Sequence, residues 1–168
     1  MAPGRIGGGE RTVIGVDPGS LRTGVGIVRR DGARFRCVHF DVIRVSGDMP
    51  ARLVEIHERL RGVIDRFRPD DAAIEDVFHG RNVPSLVKLA QARGVVLLTL
   101  AEAGLQVAGY APAVVKRSVT GSGRADKPQV ARMTEAILGL ARPAPADAAD
   151  ALAVALCRAM HPAGPVAT

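Results

Sequence analysis

Apolar positions fall into short β-type runs early in the chain and into helical repeats further on. Val13, Ile14 and Val16 are β-branched and flanked by Gly-rich sequence, which predicts a buried strand. Residues 23–28 predict a second strand. The short turn through Asp17-Pro18-Gly19 makes the two a hairpin. After the Asp31-Gly32 turn, residues 33–45 predict a third strand. Phe35 and Cys37 share one alternation phase, whereas Val38, Phe40 and Val42 share the other. That one-residue slip predicts a β-bulge. Three strands joined by short turns form an antiparallel meander.

Leu53, Ile56, Leu60, Val63, Ile64 and Phe67 then recur at helical spacing, with Asp48 as N-cap, Pro50 in the first turn and an end before Pro69. Residues 72–77, AAIEDV, predict a fourth strand. Coming after a helix, it is a crossover strand parallel to one of the first three. Residues 78–82 are a loop. Asn82 or Ser85 caps a long helix that runs through Ala103 and closes at Gly104, with Leu86, Leu89, Ala90 and Leu97 on one side. Gly94 inside it allows another backbone to approach, and the run Val95-Val96-Leu97-Leu98 implies deep burial or an oligomer contact. Residues 105–110 predict a fifth strand and residues 112–119 a short helix carrying Lys116 and Arg117. A helix capped by Asp126 runs to Leu138, and a last helix runs from about Asp147 to Met160. The expected fold is therefore α/β: a five-stranded mixed sheet, three strands antiparallel and two parallel by crossover, flanked by helices. Residues 12–160 form the domain, 1–11 a flexible lead and 161–168 a flexible tail.

The 168 residues suit one domain with a sizeable core. The opening MAPGRIGGGER lacks the apolar stretch of a secretory signal, and no uninterrupted apolar run reaches membrane-spanning length, the longest being 95–103. Cys37 and Cys157 are isolated, which points to buried thiols in a reducing compartment, the cytoplasm. The net charge of +6 favours an anionic partner, nucleic acid first. Of the 23 basic residues 20 are arginine, a bias that base composition alone can produce. Lys88, Lys116 and Lys127 are the three lysines.

Charge becomes informative at the acids. Asp17 ends the first strand, where it either shapes the turn or serves a site. Glu75 lies near the end of the fourth, as an edge acid facing water or as a second member of that site. Asp147 and Asp150 share one face in the first turn of a thin, Ala-rich helix, where acids also suit the macrodipole. If the first and fourth strands are neighbours, their backbones run about 4.8 Å apart and the four carboxylates converge at the sheet's carboxyl end. Such acids raise one another's pKa unless divalent cations neutralise them. Oxygen ligands without a His or Cys cluster select magnesium or manganese. Two such ions about 3.5–4 Å apart can activate a water and stabilise the leaving oxygen of a phosphodiester. Lys116 and Lys127 would hold phosphates. In the loop, Phe78 beside basic residues such as Arg81 is suited to stacking on a base, or else to filling the core. An actin-like ATP-dependent enzyme opens with a similar hairpin but needs two such lobes. A non-catalytic DNA-binding module explains the charge but not four converging acids.

The strings GVDPGSLRTGVGIV, AIEDVFHGRNVPSLVKLAQARGV and DAADALAVAL, in that order, resemble the RuvC family of Holliday-junction resolvases over residues 12–159. The resemblance implies a ribonuclease H-like fold, a homodimer, and symmetric nicking of four-way DNA junctions with magnesium or manganese, beside the RuvA-RuvB branch-migration complex. By that resemblance Asp17, Glu75, Asp147 and Asp150 match the catalytic acids, Phe78 the aromatic that engages bases, Lys116 and Lys127 the active-site cations, and the helix from Ser85 the dimer helix. The lead before Thr12 is longer and the tail after His161 shorter than the family pattern. Asp76 stands where a neutral residue is expected, and the Asp147 position is histidine in some relatives.

Overall fold

The computed structural model describes residues 10–76 and 82–162. Three strands open the chain: β1 (Arg11–Asp17), β2 (Arg22–Asp31) and β3 (Arg34–Arg44). Then follow α1 (Met49–Phe67), β4 (Asp71–Glu75), α2 (Val83–Glu102), β5 (Val107–Tyr110), α3 (Pro112–Thr120), α4 (Lys127–Leu138) and α5 (Ala146–Met160). The sheet order is β3-β2-β1-β4-β5. Tight turns make β1/β2 and β2/β3 antiparallel, and helical crossovers make β1/β4 and β4/β5 parallel, as expected from the connections. The bulge is also present. Ile27 pairs with His39 but Val28 with Cys37, which leaves Val38 as the extra residue. β1 starts at Arg11 and β4 ends at Glu75, so Arg11 belongs to the sheet and Asp76 follows the fourth strand.

Helices cover both faces. α1 and α2 pack on one side through Ile56, Leu60, Ile64, Ala92, Val96 and Leu100. α3, α4 and α5 pack on the other through Val115, Val119, Val130, Leu138, Leu152 and Leu156. The starts follow the sequence signals: Asp48 accepts the Ala51 N–H, Asn82 the Ser85 N–H, and Asp126 with Gln129 forms a capping box.

α2 differs from the sequence expectation in two respects. Its buried residues are Ala92, Val96, Thr99 and Leu100, not the side through Leu86, Leu89, Ala90 and Leu97. Only the C-terminal half lies on the sheet, so the stripe that matters begins at Ala92, and Leu86 and Val87 are left exposed. A Cβ at Gly94 would meet nothing within 4 Å, so no backbone among the described residues approaches there. At 20 residues α2 is also long and apolar enough to cross a membrane by length and composition, although Lys88 and Arg93 interrupt its apolar run. Part of that composition serves the core. Ala92, Val96 and Leu100 have no exposed surface, and Thr99 Oγ1 lies 2.9 Å from Nδ1 of His57 on α1.

What places α5 is a feature that periodicity does not reveal. Gly15, Gly24 and Gly26 of β1 and β2 lie directly under it. A Cβ at Gly15 would come within 2.7 Å of the Ala155 nitrogen, and one at Gly26 within 2.8 Å of the Leu152 nitrogen. A Cβ at Gly24 would overlap the Asp147 carbonyl oxygen. Glycines on the sheet and alanines on the helix thus bring two backbones into contact that ordinary side chains would hold apart. The far end of α5 is fixed by charge. Arg158 Nε and Arg11 each donate to Asp71 Oδ2 at 2.6 Å, with Arg158 2% and Asp71 1% exposed.

Candidate active site

The parallel register pairs Val16 with Ile74, so the next residues, Asp17 and Glu75, end adjacent strands side by side. Asp17 in turn pairs with Gly24 across the hairpin, and the Asp147 backbone lies on Gly24. One turn along α5, Asp150 faces the same strand ends. All four acids are partly buried, as a cleft requires.

Neither local alternative for these acids fits the hydrogen bonds. The turn after β1 is fastened by Thr23, whose Oγ1 donates to the Gly19 carbonyl, while the Asp17 carboxylate has no hydrogen-bond donor among the described residues. Pro145 is the N-cap of α5 and no side chain caps that helix, so Asp147 and Asp150 are not caps.

Electrostatics bind the four acids together. Burial, then the charges of Asp150 and Glu75, and more weakly Asp147, push the Asp17 carboxyl up to about 7 from its ordinary 3.8, against the opposing pull of Lys127. Glu75 is likewise raised, first by burial and then by Asp150, with Lys127 and Lys116 acting to lower it. Lys127, the first residue of α4, donates to Asp150 Oδ2 at 2.8 Å, and that bond raises its own pKa. Two of the three lysines therefore act on the acids, Lys127 by direct contact and Lys116 through space. Phe78 and Arg81 lie outside the described residues.

The donor set suits a hard divalent cation: oxygen donors only, an excess of negative charge, and a cationic side chain already drawn to one member. Among the described residues, no three of His, Cys, Asp and Glu stand close enough to form a finished coordination shell. Asp17 and Glu75 feel each other or Asp150 without a hydrogen bond between them, as expected of like charges at this range. To hold a cation together these acids would have to turn toward one another, and Lys127 would have to yield part of its hold on Asp150.

Gly24 is the functional position that sequence reasoning missed; its signal was a small residue opposite Asp17 in a predicted hairpin. Gly24→Ala is expected to lift the start of α5, costing about 1–3 kcal/mol. The same shift displaces Asp147 and Asp150 and lowers the activity of the site about 100-fold. Urea melts and activity assays measure the two effects, and a variant that works at the unmodified rate contradicts the placement.

The family described as crossover junction endodeoxyribonuclease RuvC matches residues 13–158. A relative of that name from Chloroflexus aggregans is 46% identical over 149 residues, covering 87% of this chain and 91% of the relative. Another, from Hahella chejuensis, is 50% identical over 146 residues, covering 86% and 85%. The structure of Thermus thermophilus RuvC in complex with Holliday junction substrate is similar at TM-score 0.86 and 39% identity, covering 90% of this chain and 94% of that one. With a ribonuclease H-like sheet, acids at its carboxyl end and a family match along nearly its whole length, the chain belongs to the RuvC family of crossover junction endodeoxyribonucleases.

Proposed function

We propose that this chain resolves four-way DNA junctions by symmetric, metal-dependent phosphodiester hydrolysis in homologous recombination and DNA repair. The observation that carries the proposal is the convergence of Asp17, Glu75, Asp147 and Asp150 at the ends of β1 and β4, with Asp17 raised to about 7 largely by burial and its fellow acids. Relatives across nearly the full length carry the junction-endonuclease name, and the similar Thermus structure holds a Holliday junction substrate.

In this reading the four acids hold two Mg2+ ions, which Mn2+ can replace. Bound there, the ions supply activation of the attacking water and stabilisation of the leaving oxygen. Asp17, at the end of β1, would anchor both. Glu75 orients its share from β4, and Asp147 and Asp150 complete the set from α5. Lys127 and Lys116 bring positive charge to the phosphate, and Lys127 also holds Asp150 in place until the shell closes. Phe78 and Arg81 contact the bases and backbone near the crossover.

The working form is a homodimer, which sets two such sites against strands of like polarity. Its support here is the exposed apolar surface of α2, where Val83 is 73% and Leu98 55% exposed. The protein acts in the cytoplasm, beside a RuvA-RuvB branch-migration complex. Incubating purified protein with a synthetic four-way junction, and with a linear duplex of the same sequence, tests the proposal. Paired nicks in the junction alone, dependent on Mg2+ or Mn2+ and abolished by EDTA, are expected. Equal cutting of the duplex, or cutting in EDTA, refutes it.

A further inference from the structure

Asp76, the acid that follows Glu75, does not enter the cleft. Its backbone N–H donates to the Tyr110 carbonyl at 2.9 Å, which extends the β4–β5 pairing one residue beyond the strand. Its carboxylate lies over β5, where a Cβ on Gly109 would come within 2.7 Å of Oδ1. The same oxygen accepts a hydrogen bond from Arg93 of α2 at 2.8 Å, with the Arg93 side chain 20% and the Asp76 side chain 30% exposed. Arg93 follows Ala92, which has no exposed surface, so the guanidinium is delivered by the part of α2 seated on the sheet.

We propose that Asp76 and Arg93 are a positioning pair for Glu75: their ion pair fixes the end of β4 and turns the extra carboxylate away from the acids of the cleft. Glu75 adjoins Asp76 and pairs with Tyr110 across to β5. Whatever holds Asp76 therefore sets the direction in which Glu75 leaves the strand. The pair also ties the end of β4 to α2 across the 77–92 connection. Arg93 thus has two effects, one mechanical and one electrostatic. Without it, a partly buried negative charge is unpaired next to Glu75, and the strand end loses its link to the helix. Glycine at 109 is the companion requirement, because any side chain there would push the carboxylate off β5. The inference rests on the reading of Glu75 as a catalytic acid.

A double-mutant cycle tests it. Asp76→Asn, Arg93→Gln and the double variant are assayed for junction affinity without divalent ions and for single-turnover cleavage with Mg2+, with Glu75→Gln as reference. Each single variant is expected to lower the cleavage rate about tenfold while junction affinity stays within about twofold. The double variant is expected to be no slower than Arg93→Gln alone, since removing Asp76 removes the unpaired charge. Arg93→Lys keeps the charge and restores most of the rate, and Arg93→Met replaces Arg93→Gln in the comparison should that protein fail to fold. Losses that multiply in the double variant, single variants that cleave at the unmodified rate, or losses confined to junction affinity overturn the proposal. Full cleavage by Glu75→Gln instead overturns the underlying reading of the site, so the two failures are distinguishable.

Discussion

Asp17→Asn eliminates junction cleavage, by at least about a thousandfold, and makes the ion-free protein more stable. Both effects have one origin. The Asp17 carboxyl is raised to about 7 by burial and by the charges of Asp150 and Glu75, so its ionised form is disfavoured in the folded chain relative to the unfolded one. An acid with a raised folded-state pKa binds its proton more tightly when folded. Its contribution therefore favours folding increasingly as pH falls from about 7 toward the ordinary 3.8, and its full penalty applies above 7. The shift from 3.8 to about 7 sets an upper bound of about 4 kcal/mol on that penalty. Asparagine keeps the shape and removes the charge. At pH 8 without divalent ions, Asp17→Asn should melt about 5 °C or more above the unmodified protein. The difference should shrink as pH approaches 5. Saturating Mg2+ should raise the melting temperature of the unmodified protein and leave that of the variant nearly unchanged. Retained junction binding by the variant separates loss of chemistry from loss of the fold. Undiminished cleavage removes Asp17 from the mechanism.

Arg158→Met destabilises the domain by about 3–5 kcal/mol, because it strands Asp71, 1% exposed, beside an incomplete set of partners. Arg11 still reaches the same oxygen but is itself 35% exposed and cannot replace a buried guanidinium. Combining Arg158→Met with Asp71→Leu should recover most of the loss, since two apolar side chains in place of a buried ion pair are often neutral. Urea titration of the three variants measures this. The ion pair joins α5 to the starting end of β4, while the glycines under α5 settle its other end near Asp17. Loosening it should therefore lower cleavage as well, through the placement of Asp150. Equal stability of Arg158→Met and the unmodified protein contradicts the assignment.

The four acids were legible in the sequence because each sits at a point that local rules identify: two at strand ends, two at i and i+3 in a helix start. The Val38 bulge was legible from the phase of alternation, and the caps at Asp48 and Asp126 from residue type. Other features depend on partners distant in the chain and leave no local trace. Gly15 and Gly26 look like ordinary weak strand residues until α5 is laid across them. The pairing of Asp71 with Arg158 spans 87 positions, and nothing in either segment announces the other. Asp76 is conspicuous as a second acid beside Glu75, but its partner Arg93 is hidden in a helix whose buried stripe begins later than its apolar run suggests. The face of α2 was misjudged for that reason: hydrophobicity alone does not distinguish a residue facing the sheet from one facing a second subunit.

Whether the acids grip ions is settled by anomalous diffraction from crystals soaked in Mn2+ at pH 8, where Asp17 is ionised. Metal peaks are expected at the carboxyl ends of β1 and β4, with carboxylate oxygens of Asp17 and Asp150 within about 2.5 Å and Lys127 drawn back from Asp150. A cleft without a peak at saturating Mn2+, or metal bound only elsewhere on the protein, contradicts the proposed chemistry.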